Sequence, residues 1–233
     1  LDVKGIRYAR HFIEEPDRTP AVAALLSAHS LLEATHPGAV GYPSEEACQA
    51  LRTATRALEA NPEDAELLAA LQQALADFKA APLVQPQAGR LYRILSASTC
   101  TRERYAGSSI YQKGDALYMH YTPQVEPEEL WQFKAEGNAF RLTNVLKNQQ
   151  LVLSTTHGSN ATLAEQGTML TIALATKASG KYTYVPGALT LGTSATALLS
   201  ADCTGYVKTG NNGAVCYPGT WFIVEVTDFT AQL

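Results

Sequence analysis

Aromatic side chains cluster in one short stretch that has the alternating pattern of a β-hairpin. The cluster contains Tyr111, Tyr118, His120 and Tyr121, and Asp115 lies close to them in the sequence. In a strand, Tyr118 and His120 share one face while Tyr121 points to the other. A sugar site needs a flat aromatic face with amide or carboxylate groups that bond the hydroxyls. The stretch predicts a ligand site, and the alternative is an ordinary hairpin with half-buried tyrosines.

A second group of the same chemical character lies near the end of the chain. It consists of Tyr206, Asn211, Asn212 and Tyr217. Tyrosine rings and asparagine amides could together bind a polar ring such as a sugar. The alternative is that the asparagines only form a turn, which is a common role for this residue type.

The four cysteines do not have the spacing of a metal site. Cys48, Cys100, Cys203 and Cys216 form no C-x-x-C pair, so no zinc or redox motif is indicated. Cys203 and Cys216 enclose a loop rich in glycine and asparagine, and two strands joined by such a loop could bring the thiols into bridging range. If the protein is exported, a Cys203–Cys216 disulfide is a candidate, and two buried free thiols are the alternative.

The sequence lacks the common motifs of catalytic sites. There is no G-x-S-x-G elbow, no H-E-x-x-H motif and no glycine-rich phosphate loop. The only local acid pair of the strand-rich part, Glu128-Glu129, lies in a loop flanked by proline, and His29 is interpreted as a packed histidine on a helix. We therefore expect no catalytic residue, no cofactor and no metal. A hydrolase domain could still be joined to this segment from outside it.

A repeated strand pattern must position these side chains. Tyr92-Arg93-Ile94-Leu95 returns 48 residues later as Phe140-Arg141-Leu142-Thr143, and 49 residues after that as Leu189-Thr190-Leu191-Gly192. The closing segments of the units are Trp131-Gln132-Phe133, Tyr182-Thr183-Tyr184 and Trp221-Phe222-Ile223. Such periodicity predicts three structural repeats, with the tryptophans packed in the core rather than stacked on a ligand.

Each repeat contains about four short strand candidates, so about twelve strands are expected. Twelve strands in three units predict a β-trefoil, with a six-stranded barrel and three capping hairpins. A three-bladed propeller would have the same number of strands, but propellers usually have more than three blades, so the β-trefoil is favoured. The units are predicted at about 90–137, 138–187 and 188–233. The strand candidates are 92–97, 105–110, 116–121, 130–135, 140–145, 150–154, 169–176, 181–185, 189–193, 197–200, 205–208 and 221–226.

The first part of the chain has helical periodicity instead. Helices are predicted from Pro20, from about Ser44 and from Asn61-Pro62-Glu63-Asp64, where Asn61 would be the cap and Pro62 the first helical residue. Short connections favour an up-down-up bundle over residues 1–84. A proline-stiffened linker follows, and the β-trefoil is predicted over residues 88–233. The fold class is therefore α+β with two domains.

Two resemblances accompany these predictions. The bundle resembles the FIVAR-like three-helix modules of bacterial surface proteins, in the glycine-tyrosine loop before the second helix and the Asn61-Pro62-Glu63-Asp64 start of the third. The strand-rich part resembles the ricin-type β-trefoil modules of secreted hydrolases of gut bacteria, through its Tyr-Arg-Ile strand and its final Trp221-Phe222-Ile223 segment. It departs from the ricin-type Gln-x-Trp signature, because Glu129 and Gly219 stand in place of the glutamine. The resemblance implies a lectin-like module.

Composition limits the partners and the location. Of the 233 residues, 46% are hydrophobic and 17% are charged, and the net charge is −4. Without a basic run, nucleic acid is not an expected partner, and the longest apolar stretch is too short to span a bilayer. The composition is that of an exported protein, although no signal peptide stands in this segment.

The leading functional hypothesis is a non-catalytic region that binds a glycan or polysaccharide at the cell surface or after secretion. The first alternative is a structural or protein-binding platform that does not bind sugar. The second is a protease inhibitor of the trefoil type, which would act through an exposed loop.

Overall fold

The computed structural model describes residues 19–97, 107–175, 187–194, 197–202, 204–210, 219–227 and 229. These residues form two compact units. The helical unit contains 19–33 and 45–81, and the β unit contains 34–44 and the chain from Pro82 onward. The loop 34–44 thus groups with the strands, although it follows a helix in the sequence. The predicted domain limits at residues 84 and 88 stay predictions.

The helical unit consists of α1 (Pro20–Glu33), α2 (Glu45–Ala60) and α3 (Ala65–Ala80), which confirms the predicted succession of three helices. Its apolar core is formed by buried residues of all three helices. None of the described helices combines the length and the apolar character that crossing a membrane requires. The FIVAR-like character of this unit stays a resemblance.

The buried residues of helix α1 are alanines, while its leucines Leu25, Leu31 and Leu32 are only partly buried against the core. Ala21, Ala24 and Ala28 are buried, whereas Leu26 is 44% exposed. The interpretation of His29 as a packed histidine is wrong, because its side chain is half exposed and its Nε2 lies 2.7 Å from Glu59 Oε1. Apolar residues occur all around α1, so their spacing does not identify one inner face. The alanines then determine which face of α1 is buried, because small side chains let helices approach closely.

Helix α3 begins three residues later than predicted. Asp64, not Asn61, is its N-cap, and Asp64 Oδ1 accepts hydrogen bonds from the N–H groups of Glu66 at 2.9 Å and Leu67 at 3.1 Å. A carboxylate at this position satisfies two free backbone donors and also interacts favourably with the helix dipole. Asn61 and Pro62 instead form the preceding turn.

The described residues of the β unit form twelve strands. They are β1 (Leu91–Ser96), β2 (Ser109–Lys113), β3 (Ala116–His120), β4 (Trp131–Glu136), β5 (Ala139–Asn144), β6 (Gln149–Val152), β7 (Thr162–Ala164), β8 (Thr171–Leu174), β9 (Leu189–Ser194), β10 (Ala197–Ala201), β11 (Val207–Gly210) and β12 (Trp221–Val226).

Six of these strands close into a ring of antiparallel neighbours. Strand β1 pairs with β4, β4 with β5, β8 with β9, β9 with β12, and β12 with β1. The bridge between Phe140 and Leu170 joins β5 to the start of β8 and completes the barrel. The pairs β2–β3, β6–β7 and β10–β11 form three hairpins. This topology is a β-trefoil, and it confirms the predicted fold class.

One residue pair in each unit forms a repeated layer in the barrel. Tyr92 pairs with Trp131, and Leu189 pairs with Trp221. In the second unit, Phe140 and Leu170 form the corresponding bridge. All six residues are at most 3% exposed. The repeated positions of the sequence are therefore core positions, and the prediction that both tryptophans pack in the core is confirmed.

Several strand predictions need correction. The strand predicted at 105–110 lies at Ser109–Lys113, and the segment predicted at 169–176 contains the fourth strand of unit two, β8. The third strand, β7, was missed because three residues are too few for a detectable period. The strand predicted at 181–185 and its Tyr182-Thr183-Tyr184 segment lie outside the described residues.

The loop 34–44 contributes to the core of the β unit. Val40 and Tyr42 belong to the same buried cluster as the barrel residues. Gly41 N donates to Val84 O, and Val84 N donates to Tyr42 O, both at 2.8 Å. Gly41 has φ +84°, and an added Cβ would lie 2.5 Å from the side chain of Leu189. The loop and the segment after Pro82 thus cover the barrel where β9 begins.

The repeated layer predicts a contrast between two leucines that are close in sequence. Leu142 is fully buried in the barrel, whereas Leu146 is 46% exposed. Leu142→Ala should lower the free energy of unfolding by about 2–5 kcal/mol, because it leaves a cavity. Leu146→Ala should change it by about 0.5 kcal/mol or less. Urea unfolding followed by tryptophan fluorescence measures both, and equal effects would contradict the assigned core.

Candidate functional site

The outer surface of the first hairpin carries the side chains that the sequence analysis singled out. Strands β2 and β3 pair antiparallel, with Tyr111 opposite Tyr118 and Ser109 opposite His120. Leu117 and Met119 point inward and are buried, while Tyr118 is half-buried and His120 is exposed. This alternation confirms that Tyr118 and His120 share one face.

Two pairs of aromatic rings lie on this surface, and we call the four residues the aromatic row: His120, Tyr111, Tyr118 and Tyr206. Tyr111 of one pair lies opposite Tyr118 of the other in the strand register. The ring centroids of Tyr111 and His120 are 4.9 Å apart, and those of Tyr118 and Tyr206 are 4.4 Å apart. Lys208 Nζ lies 5.9 Å from the centroid of the Tyr206 ring. The row therefore combines side chains from the first and the third unit of the trefoil.

Backbone pairing between two hairpins brings Tyr118 and Tyr206 together. The two residues form an antiparallel bridge, and Met119 N donates to Gly205 O at 2.7 Å. The sequence analysis placed these tyrosines in separate candidate groups. Their contact follows from the trefoil, in which the three hairpins lie side by side at one end of the barrel.

A cavity of about 600 Å³ lies beside the row, and we call it the hairpin cavity. Its volume is typical of small-molecule sites, which span about 300–1,000 Å³. Its walls contain aromatic faces, the carboxylate of Glu128 and the ammonium group of Lys113. Its lining residues are Tyr111, Gln112, Lys113, Gly114, Tyr118, Met119, His120 and Glu128.

Burial and hydrogen bonds raise the pKa of the two central tyrosines. The Tyr111 hydroxyl donates to Glu126 Oε2 at 2.8 Å. Burial raises the pKa of Tyr111 to about 12, together with this hydrogen bond and the neighbouring carboxylates of Glu126, Glu128 and Glu129. The pKa of Tyr118 is also raised, first by a side-chain hydrogen bond with Tyr206 and then by burial.

A buried ion pair fixes the loop that carries Glu126 and Glu128. Glu129 is fully buried, and its Oε2 accepts a hydrogen bond from Arg93 Nε at 2.9 Å. Its Oε1 accepts from Thr122 Oγ1 at 2.7 Å and from Glu126 N at 3.0 Å. The two adjacent acids thus have different roles, because Glu129 holds the loop while Glu128 faces the hairpin cavity.

A second carboxylate organises the turn before Tyr206. Asp202 Oδ1 accepts hydrogen bonds from Thr204 N at 2.9 Å and from Tyr206 N at 3.0 Å. Lys208 Nζ lies 3.2 Å from Asp202 Oδ2. Burial acts to raise the pKa of Asp202, but the hydrogen bonds from Thr204, Tyr206 and Lys208 outweigh it and lower the pKa.

The other predicted site residues lie apart from the aromatic row or outside the described residues. Asp115 is exposed at the β2–β3 turn and lines an adjoining depression of about 340 Å³, with Lys147, Gln149 and Thr162. This depression shares Gln112 and Gly114 with the hairpin cavity, but Asp115 is not in the lining of that cavity. Asn211, Asn212, Tyr217 and both candidate disulfide cysteines, Cys203 and Cys216, lie outside the described residues. The assignments of these five residues stay predictions, as does the role of Asp115.

The sequence patterns did not indicate Glu126, Lys113 and Lys208 as neighbours of the row. One signal was available for the first of these. Glu126 stands three residues before Glu129, with Pro127 between them, which is the spacing of a capping box. The short 3₁₀ turn Pro127–Glu129 has this box. Over the part of the chain that the structure describes, no group of three or more His, Cys, Asp or Glu side chains could hold a metal ion.

Similar solved structures include β-trefoil lectins. The ricin B-like lectin of Macrolepiota procera, in complex with lactose, has a TM-score of 0.46 and 15% identity, over 60% of this chain and 97% of that chain. The agglutinin of Rhizoctonia solani has a TM-score of 0.46 and 17% identity, over 63% and 100%. A GlcNAcα1-4Gal-releasing endo-β-galactosidase of Clostridium perfringens has a TM-score of 0.45 and 13% identity, over 60% and 33%.

No protein-family model matches the chain, and no curated protein matches its sequence. The assignment of the β-trefoil follows from the strand pairing itself.

The buried ion pair predicts a contrast between two arginines. Arg93→Met leaves Glu129 buried without its partner, and should lower the free energy of unfolding by about 3–5 kcal/mol. Arg90 forms an exposed pair with Glu225 at 3.1 Å, so Arg90→Met should cost about 1 kcal/mol or less. Both tryptophans lie in the β unit, so fluorescence-detected urea unfolding reports on it. Similar losses in the two variants would contradict the role given to Glu129.

The lowered pKa of Asp202 predicts a stability effect that depends on pH. A carboxyl whose pKa is lower in the folded state stabilises the protein above its unfolded value of about 3.9, and the effect disappears as pH falls through the folded value. Asp202→Asn should therefore destabilise the β unit at pH 7 and much less near pH 2. Unfolding curves at both pH values measure this, with Asp115→Asn as a control at an exposed turn. A loss for Asp202→Asn that is equal at the two pH values would exclude the linkage.

Proposed function

We propose that the β-trefoil binds carbohydrate at the hairpin cavity, as a non-catalytic region of an exported bacterial protein. The observation that carries this proposal is the aromatic row beside Glu128 and Lys113. Protein sites for small polar ligands combine apolar and aromatic walls with a few well-placed polar groups. The hairpin cavity has this composition. Its lining rings come from the first hairpin, and Tyr206 of another hairpin packs against one of them, Tyr118.

Each side chain that lines the cavity would have a separate role in binding a sugar. The ring of Tyr118 offers an aromatic face on which the C–H face of a pyranose can stack. The carboxylate of Glu128 can accept hydrogen bonds from sugar hydroxyls, and Lys113 can donate to them. Tyr111 is oriented by its bond to Glu126, so its ring is available as a second wall.

The rigidity of the surroundings supports binding rather than a purely structural role for these side chains. The Arg93–Glu129 pair holds the loop on one side of the row, and Asp202 holds the turn of Tyr206 on the other. Such fixed side chains lose little conformational entropy when a ligand arrives. A preformed site therefore retains more of its contact energy as affinity.

A non-catalytic role is supported by the carboxylates near the row. Most glycosidases use two carboxyl groups that flank the scissile bond. Among the described lining residues of the hairpin cavity, Glu128 is the only carboxylate. Glu126 is bonded to Tyr111, and Glu129 is paired with Arg93 inside the protein. The proposal of export rests on composition, with few charged residues and many small polar ones.

A glycan array probed with the full chain tests the proposal. We expect saturable binding to a subset of neutral glycans, and we expect Tyr118→Ala to weaken it by about tenfold or more, equivalent to about 1.4 kcal/mol. Tyr206→Ala should weaken binding less, because Tyr206 lies outside the cavity lining and acts through its contact with the Tyr118 ring. The matched control is Tyr121→Ala, because Tyr121 is 70% exposed on the same strand end and lies outside the cavity lining.

Two results would contradict the proposed site. An array without any binding would leave a structural or protein-binding platform as the better interpretation. Binding that survives Tyr118→Ala and Tyr206→Ala would place the sugar elsewhere on the trefoil. Near-native fluorescence of each variant shows that a loss of binding is not a loss of folding.

A further inference from the structure

The depression of about 340 Å³ that adjoins the hairpin cavity lies at the β2–β3 turn, and we call it the turn depression. The two hollows share part of their lining, since Gln112 and Gly114 belong to both. The far wall of the turn depression comes from the second unit of the trefoil. It includes Lys147 of the β5–β6 turn, Gln149 of β6 and Thr162 of β7. A continuous surface therefore leads from the rings of the first hairpin to the second hairpin.

The junction between the two hollows is low and fixed. Gln112 is 3% exposed, and its Nε2 donates a hydrogen bond to the carbonyl oxygen of Gly114. Gly114 has φ +62°, and an added Cβ would meet no described atom within 4 Å. The junction is thus formed by a glycine and by an amide that is bonded to it. A ligand can pass over it from one hollow to the other.

A single buried side chain positions walls of both hollows. Asn144 is fully buried, and its Nδ2 donates to Glu128 O at 3.0 Å while its Oδ1 accepts from Lys147 N at 3.1 Å. Glu128 lines the hairpin cavity and Lys147 lines the turn depression. Asn148 closes the β5–β6 turn with φ 50°, a conformation that asparagine tolerates better than most residues. The two hollows are therefore held together as one preformed surface, which reduces the entropy lost on binding.

The two hollows offer different chemistry to a ligand. The hairpin cavity presents aromatic faces, whereas the described lining of the turn depression contains no aromatic ring. The carboxylate of Asp115, the amide of Gln149 and the hydroxyl of Thr162 can instead exchange hydrogen bonds with several hydroxyl groups. Each hollow has one lysine and one acid in its described lining, so neither sign of charge prevails. This combination suits a neutral chain that stacks one sugar ring and bonds the next through its hydroxyls.

We propose that the hairpin cavity and the turn depression are successive subsites of one groove, and that the groove binds a neutral oligosaccharide of at least two sugar residues. This inference rests on the proposed function, because the first sugar residue occupies the hairpin cavity. The chain then crosses Gly114, and the hydroxyls of the second residue bond the polar side chains of the turn depression. The ligand class is therefore the oligosaccharide rather than the single sugar.

Calorimetric titration of the full chain with sugars of increasing length tests the inference. The probes are β-1,4-linked chains of glucose, galactose and N-acetylglucosamine with one to four residues, together with the fragments of any other glycan that the array selects. In a series that binds, we expect the affinity to rise by about fivefold or more from one residue to two or three, because the added residue gains hydrogen bonds. A single sugar that binds as tightly as its longer forms would overturn the inference and leave the proposed function intact. The absence of binding in every series would count against both.

Two variants locate the second subsite. Asp115→Ala and Gln149→Ala should each reduce the gain in affinity with chain length by about threefold or more, because each removes a hydrogen-bonding group. Tyr118→Ala should weaken binding at every length. The matched control is Glu165→Ala, since Glu165 is an exposed acid just after β7 and lines neither hollow.

The length dependence of these variants decides whether the groove exists. A gain with length that survives both Asp115→Ala and Gln149→Ala would place the added residues elsewhere on the trefoil and contradict the groove. An equal loss of the gain in Glu165→Ala would contradict it as well. An unchanged midpoint of urea unfolding in each variant shows that the effect on affinity does not come from a loss of stability.

Discussion

The packing of one residue pair from each unit across the barrel is the constraint on which the β unit depends. In the first and third units, this layer contains a tryptophan whose indole N–H also bonds the adjoining hairpin. Trp131 Nε1 donates to Ile110 O at 3.2 Å, and Trp221 Nε1 donates to Leu199 O at 2.8 Å. The barrel core and the two hairpins are therefore fixed by the same side chains. Since the aromatic row lies on these two hairpins, the geometry of the candidate site follows from the packing of the core.

The sequence predicted the parts of the fold in which side-chain type repeats with a clear period. Strand openings that return after 48 and 49 residues identified the barrel positions, including Tyr92 and Leu189. The buried face of α2 also follows a helical period, since Cys48, Leu51, Thr55 and Leu58 are spaced by three or four residues and are all buried. Prediction failed where the period was ambiguous, as in α1, or where a strand had three residues, as in β7. It also could not show that the loop 34–44 packs with the barrel, because that packing depends on tertiary contacts.

The candidate site was only partly visible in the sequence, for a related reason. The alternation along β3 correctly placed Tyr118 and His120 on one face. The contact of Tyr118 with Tyr206 joins different units, so no local pattern could reveal it. The adjacent acids Glu128 and Glu129 looked equivalent as a motif, and only the position of Arg93 separates the buried one from the one at the cavity. Sequence spacing thus identified the residue types of the site, while the trefoil decided which of them meet.

A crystal structure of the full chain with a bound oligosaccharide would locate the ligand without relying on variants. The proposed function predicts a pyranose ring within about 4 Å of the Tyr118 ring, which is the usual contact distance, and a sugar hydroxyl bonded to Glu128. A sugar on another hairpin, with the aromatic row unoccupied, would contradict the assignment of the hairpin cavity.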